Sequence, residues 1–139
     1  HYDLLKIIEL NQWSVYLHEN QCYLGRVYMM PHEGDLLDFF DMNEALYQDF
    51  FTQGQKVKRA LSHLYQPDKF NYAALGNVFP KLHVHIIPRY HAPRTQYGTL
   101  FMDDRWGQNY APYNKQFKIN QAILFKIRDD IKEALHGTL

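Results

Sequence analysis

Lys81-Leu82-His83-Val84-His85-Ile86-Ile87-Pro88-Arg89 sets two imidazoles among aliphatic residues, in the segment that reads most clearly as a β-strand. Side chains alternate between the faces of a strand, so Lys81, His83 and His85 are expected on one face and Leu82, Val84 and Ile86 on the other. The aliphatic face belongs in a core. The basic face needs another reason, because buried histidines add little apolar packing and demand hydrogen-bond partners. A His-x-His pair on a strand points both rings the same way, which suits a metal ion. It also suits nucleophilic catalysis, in which one imidazole attacks and its neighbour assists. Two half-exposed histidines without a chemical role satisfy the same spacing.

Just upstream lies Gly76-Asn77-Val78-Phe79-Pro80. Taken together, Gly76-Asn77 to Pro88-Arg89 resembles the signature of the histidine-triad nucleotide hydrolases and transferases, in the form Gly-Asn-x-x-Pro-His-Leu-His-x-His-x-x-Pro-Arg found in a bacterial-type subgroup. The resemblance gives His83 the place of the middle, nucleophilic histidine and His85 that of the third. Lys81 stands where the first histidine would be, and Val78 where the commoner pattern has a hydroxyl residue. A hairpin, a long helix and the signature strand follow one another in the family's order across about residues 13 to 90.

What the resemblance implies is attack by a neutral His83 on an α-phosphate, giving a nucleotidyl-histidine that water or another acceptor resolves. The implied substrate is a small nucleotide with a phosphoanhydride or phosphoramidate bond. The phosphate-binding candidates are Asn77 at the family's amide position, Lys81, Arg26 where many relatives carry a histidine on the second strand, and His32 at a loop position after it. A guanidinium at Arg26 is expected to clamp phosphate in a bidentate manner. Lys81 adds a cation but exchanges protons poorly unless burial lowers its pKa. His18, His63, His91 and His136 read as incidental, while Trp106, Tyr110 and Tyr113 read as aromatic residues that stack on a base, close over the site or pack on their own domain. No cofactor and no obligatory metal are expected. The rival readings are a metal-dependent hydrolase built on the His83–His85 pair, for which no third ligand at a recognisable spacing is present, and a nucleotide-binding module without turnover.

Working outward, Trp13, Val15 and Leu17 alternate with Ser14, Tyr16 and His18 as in a half-buried strand, and Glu19-Asn20-Gln21 turns into a second strand over about residues 22–30. Gly25 suggests a bulge or a close backbone approach. Residues 3–10 read as a short helix. Asp41-Met42-Asn43-Glu44 has the spacing of a capping box and opens the longest helical pattern, in which Leu46, Phe50, Val57, Leu61 and Leu64 face a sheet until Pro67. A third strand is expected over about residues 70–75, with Pro88 ending the signature strand. Residues 91–116 read as a long aperiodic loop. Ile119, Ile123, Ile127, Ile131 and Leu135 mark a C-terminal helix over about residues 117–136, with Gly137 as its stop.

These elements describe a single α+β domain over residues 1–139, an antiparallel sheet packed by a long helix and a C-terminal helix. The 15 Lys and Arg balance the 15 Asp and Glu, which gives no basic field for a polynucleotide backbone. The lone Cys22 forms no internal disulfide, no run has the length of a membrane span, and no signal-peptide pattern is visible, so the expected location is the cytoplasm. With 16% aromatic residues the chain has more apolar surface than one small sheet covers, and the family commonly pairs sheets. A homodimer is therefore expected.

Overall fold

The computed structural model describes residues 2–32 and 34–138. A five-stranded antiparallel sheet has the order β1 (Lys6–Leu10), β2 (Trp13–Leu17), β3 (Val27–Pro31), β5 (Val84–Arg89), β4 (Lys69–Ala73). Helix α1 (Glu44–Tyr65) joins β3 to β4, and α2 (Gln121–Thr138) closes the chain. The two helices pack on each other and on one face of the sheet. The core between them holds Trp13, Val15 and Leu17 from β2, Val27 and Met29 from β3, and Val84 and Ile86 from β5, with Val57 and Leu61 of α1 and Ile127, Ile131 and Leu135 of α2. The architecture is the expected α+β fold, with the apolar stripe of α1 where the periodicity placed it.

Several local expectations are corrected. Residues 3–10 form a 3-10 turn (Tyr2–Leu5) and then β1, not a helix. Lys6 to Leu10 pair with Tyr16 to Trp13, and β-branched Ile7 and Ile8 favour this ladder over a single turn of amphipathic helix. Strand β2 is buried along its whole length rather than by half, because Tyr16 on the face away from the helices stacks on Tyr28, with ring centroids 5.2 Å apart.

The link from β2 to β3 is longer than a tight turn and spans residues 18–26. Buried Gln21 organises it: its side-chain amide donates to the carbonyls of His18 (2.8 Å) and Arg26 (2.9 Å) and accepts from Gly25 N–H (2.8 Å). Gly25 lies here at φ +87°, and a Cβ would meet the Tyr65 ring at 2.9 Å. The close backbone approach is real, but it is to α1 and lies outside the strand. Helix α1 is capped by Asn43, whose side chain accepts from Leu46 N–H, rather than by Asp41, which lies in the 3-10 turn Phe39–Asp41. Pro88 lies inside β5 opposite Phe70. The ladder between β5 and β3 stops at Ile86, so a residue without an N–H costs that side nothing. Helix α2 runs through Gly137 to Thr138.

Residues 91–116 are more ordered than their composition suggests. Strands β6 (Arg94–Gln96) and β7 (Thr99–Phe101) form a hairpin whose two turn residues, Tyr97 (φ 52°) and Gly98 (φ 74°), are both left-handed. The segment after it is tied to β5 by Arg89. This buried guanidinium bonds both carboxylate oxygens of Asp103 (2.7 and 3.1 Å), Asn71 Oδ1 (2.7 Å) and the carbonyls of Arg105 (2.8 Å) and Gln108 (3.1 Å). Tyr23 Oη donates to the Tyr110 carbonyl at 2.6 Å. Cys22, Tyr23 and Ile87, with Tyr110, Tyr113 and Phe117 against them, make a second small core on the sheet face away from the helices.

Candidate active site

That second face carries a cleft of about 750 Å³. The sheet supplies its floor by alternation. Tyr16 pairs with Tyr28, and Tyr28 with His85, so a row of rings crosses β2, β3 and β5 and points away from the helical core. His18 and Arg26 extend that face at the ends of β2 and β3, held side by side by a hydrogen bond from His18 N–H to the Arg26 carbonyl (3.0 Å). The Leu75–Phe79 segment forms one wall, and Tyr110–Tyr113 with Lys115 forms the other.

His83 and His85 both line the cleft, with ring centroids 5.0 Å apart. Their tautomers follow from their partners. His83 Nδ1 lies 2.9 Å from the Lys81 carbonyl; a carbonyl only accepts, so Nδ1 carries a proton, and in the neutral ring Nε2 keeps a free lone pair. His85 Nδ1 lies 3.3 Å from Arg26 Nη2; a guanidinium only donates, so His85 accepts at Nδ1 and carries its proton on Nε2. The two rings are thus in opposite tautomers, one with a nucleophilic nitrogen and one with a donor. Burial first, and then the charge of Arg26 and the neighbouring His18 and His83, push His85 down to about 3. Burial and Arg26 likewise hold His18 at about 4, so both are uncharged at neutral pH.

Of the residues singled out in the sequence, His83, His85, Asn77 and Arg26 converge on this cleft, and Lys81 and His32 do not line it. The expected shared face of Lys81, His83 and His85 does not form, because β5 begins only at Val84 and alternation has no hold on Lys81. Its exposed side chain points to Gly34, where a Cβ would lie 3.0 Å from Nζ. His32 is exposed, and its backbone N–H bonds the Gln12 carbonyl. His18, read as incidental, lines the cleft with its ring centroid 5.7 Å from that of His85. The signal for it was present in the alternation of Ser14, Tyr16 and His18. Tyr28 and Lys115 are further cleft residues the sequence reading passed over. Among the described residues no group of three or more His, Cys, Asp or Glu side chains is placed to hold a metal ion.

Comparison with known proteins places this geometry. A bis(5'-adenosyl)-triphosphatase of Saccharomyces cerevisiae is 33% identical over 92 residues, a stretch covering 61% of this chain and 44% of that protein. The match thus spans less than half the length of the curated relative. A histidine triad protein from Bradyrhizobium japonicum superposes with a TM-score of 0.77 at 23% identity, over 94% of this chain and 89% of that one. One from Sinorhizobium meliloti does so with a TM-score of 0.78 at 19% identity, over 94% and 88%; at these identities the likeness is one of fold. The HIT domain family matches residues 3–92, which takes in both imidazoles, Arg26 and the whole five-stranded sheet, and the chain belongs to that family.

Proposed function

We propose that this chain is a nucleotide hydrolase or nucleotidyl transferase that cleaves a nucleoside phosphoanhydride or phosphoramidate at its α-phosphate through a covalent intermediate on His83. The observation that carries the reading is the opposite support of the two Nδ1 atoms in one cleft, a carbonyl at His83 and a guanidinium at His85, which leaves the neutral rings with a free Nε2 on His83 and an Nε2–H on His85. In the first step His83 Nε2 bonds to the α-phosphorus and the bond to the leaving phosphate or amine breaks, with its electron pair going to the leaving group, which takes its proton from solvent water. Water or another acceptor then attacks the same phosphorus, loses a proton and releases His83. Charge collects on the non-bridging oxygens, so preorganised donors supply much of the acceleration. His85 Nε2–H and the Asn77 amide are the groups to supply them. The chain falls in the bacterial-type subgroup with lysine at the first triad position, and residues 1–139 act as one domain.

The triphosphatase activity of the yeast relative points to a dinucleoside polyphosphate as the first substrate to try. The protein incubated with diadenosine triphosphate or adenosine phosphoramidate is expected to release AMP, with and without chelator. Tight binding of both without release of AMP would leave a nucleotide-binding module. The displacement of Lys81 from the cleft favours that second reading. A small nucleotide, rather than a polynucleotide or a membrane, is the proposed partner.

We also propose a homodimer. Strand β4 is an edge of the sheet, and beside it an apolar groove is lined by Phe39, Phe50, Phe51, Tyr72 and Ala73. Phe51 and Tyr72 are 60% and 56% exposed. An antiparallel edge pairs with its own copy across a two-fold axis, and the same contact buries the groove.

A further inference from the structure

We infer that Arg26 is a positioning residue for His85, fixing it as an Nε2–H donor toward the cleft; this rests on the catalytic reading of the cleft just given. The sequence suggests a bidentate phosphate clamp at Arg26, and the structure puts the guanidinium to a different use. Arg26 is 3% exposed. Its Nη2 bonds His85 Nδ1, while Nε and Nη1 are buried and have no hydrogen-bond partner among the described residues. The Tyr113 and Tyr110 rings lie against it, their centroids 4.7 and 5.4 Å from Cζ. Arg89, on β5 in the same half of the molecule, shows what a structural guanidinium looks like here: five hydrogen bonds and a bidentate acid. A buried guanidinium without an acid is expensive, and the polar side chains it serves are His85 and, beside it, Tyr113.

The consequence is specific. A donor that never deprotonates sits behind Nδ1, so His85 cannot hold its proton there and cannot swap tautomer. The fixed charge also opposes a second proton on His85. The other groups facing His85 are His18 from the end of β2, His83 before β5 and Tyr28 of β3, and those facing Arg26 are Tyr110, Tyr113 and Cys22. None is a carboxylate, and burial with these neighbours agrees with the low value of His85.

The test is long-range ¹H–¹⁵N correlation of histidine-labelled protein from pH 8 to 4.5, with His85 assigned by His85→Gln. In the parent, His85 stays neutral with its proton on Nε2 throughout. Arg26→Met removes donor and charge, so His85 should show mixed tautomers and take up a proton within the range. Arg26→Gln keeps a donor without the charge, so the tautomer should persist while protonation moves up into the range. His85 behaving as in the parent in either variant overturns the inference, and if Arg26→Met does not fold, the Arg26→Gln titration still decides. With diadenosine triphosphate, Arg26→Met should lower kcat about tenfold or more with KM within about threefold, and Arg26→Gln, which keeps the tautomer, should recover most of that loss above about pH 7; a loss confined to KM would make Arg26 a phosphate clamp and overturn the positioning role. A parent that never turns over would defeat the proposed function, while the spectra would still report on Arg26.

Discussion

At the scale of single residues, the chemistry of the cleft is written in which atom each imidazole uses for its support. The spacing of His83 and His85 was readable because two residues is the period of a strand and β5 begins at Val84, between them. The position of Lys81 was not, because three residues further back the chain has left the sheet. What Lys81 contributes to the cleft is its backbone carbonyl, which holds His83 Nδ1–H, and any side chain at position 81 supplies the same carbonyl. Lys81→Ala is therefore expected to keep kcat/KM within about threefold of the parent at moderate salt, a change worth less than about 1 kcal/mol. A loss of tenfold or more with diadenosine triphosphate would return the ammonium to the phosphate site. His18 and Gln21 were passed over for a related reason. The alternation of Ser14, Tyr16 and His18 did point His18 to the cleft face, but the connection that holds it depends on the one buried amide of Gln21, which nothing in the residue types of 18–26 announces.

At the scale of elements, the long helix and the strands β2 to β5 were legible because they rest on periodicity and on breakers such as Pro67, whereas β1 read as a helix. The segment after β5 was not. Its β6–β7 turn places Tyr97 at positive φ, where Asn or Asp is the usual marker, and the tie between Arg89 and Asp103 joins residues 14 apart with no sequence signal. That tie is the element-scale device that positions the Tyr110–Tyr113 wall. Besides Arg89, Asp103 accepts from the Tyr90 and Arg105 backbone N–H groups at 3.1 and 3.0 Å. Asp103→Ala leaves Arg89 buried without its acid, so a loss of about 3–5 kcal/mol is expected. Urea unfolding measures it, and a loss below about 1 kcal/mol would show that the wall is held by its aromatic packing instead.

At the scale of the whole molecule, two imidazoles kept neutral by burial tie stability to pH. The folded-state values of His18 (about 4) and His85 (about 3) lie below the ordinary 6.5, so as pH falls the unfolded chain takes up protons first. Stability is fully present above about pH 7 and is lost as pH drops from about 6.5 toward 4, on the order of 1–2 kcal/mol per histidine. Unfolding free energy measured at pH 7.5 and 5 should fall in the parent and fall less in the His18→Asn/His85→Gln double variant. Equal slopes would place the pH sensitivity elsewhere. The homodimer is checked by light scattering at micromolar concentration, where a mass near 33 kDa is expected for two chains of 16.7 kDa. Tyr72→Glu at the exposed edge should halve it, and a monomeric parent would contradict the pairing of β4 edges.

Covalent capture on His83 reads most directly on the chemistry proposed for the cleft. Protein mixed with diadenosine triphosphate or adenosine phosphoramidate, quenched within milliseconds to seconds and analysed as intact protein, should carry one added adenylyl group. Peptide mapping should place it on His83, with the adduct decaying as AMP appears, and His83→Ala, a change at a half-exposed ring outside the core, should fold and show neither adduct nor turnover. Turnover by His83→Ala at a rate near that of the parent, or AMP release with the label on another residue, would contradict nucleophilic attack by His83.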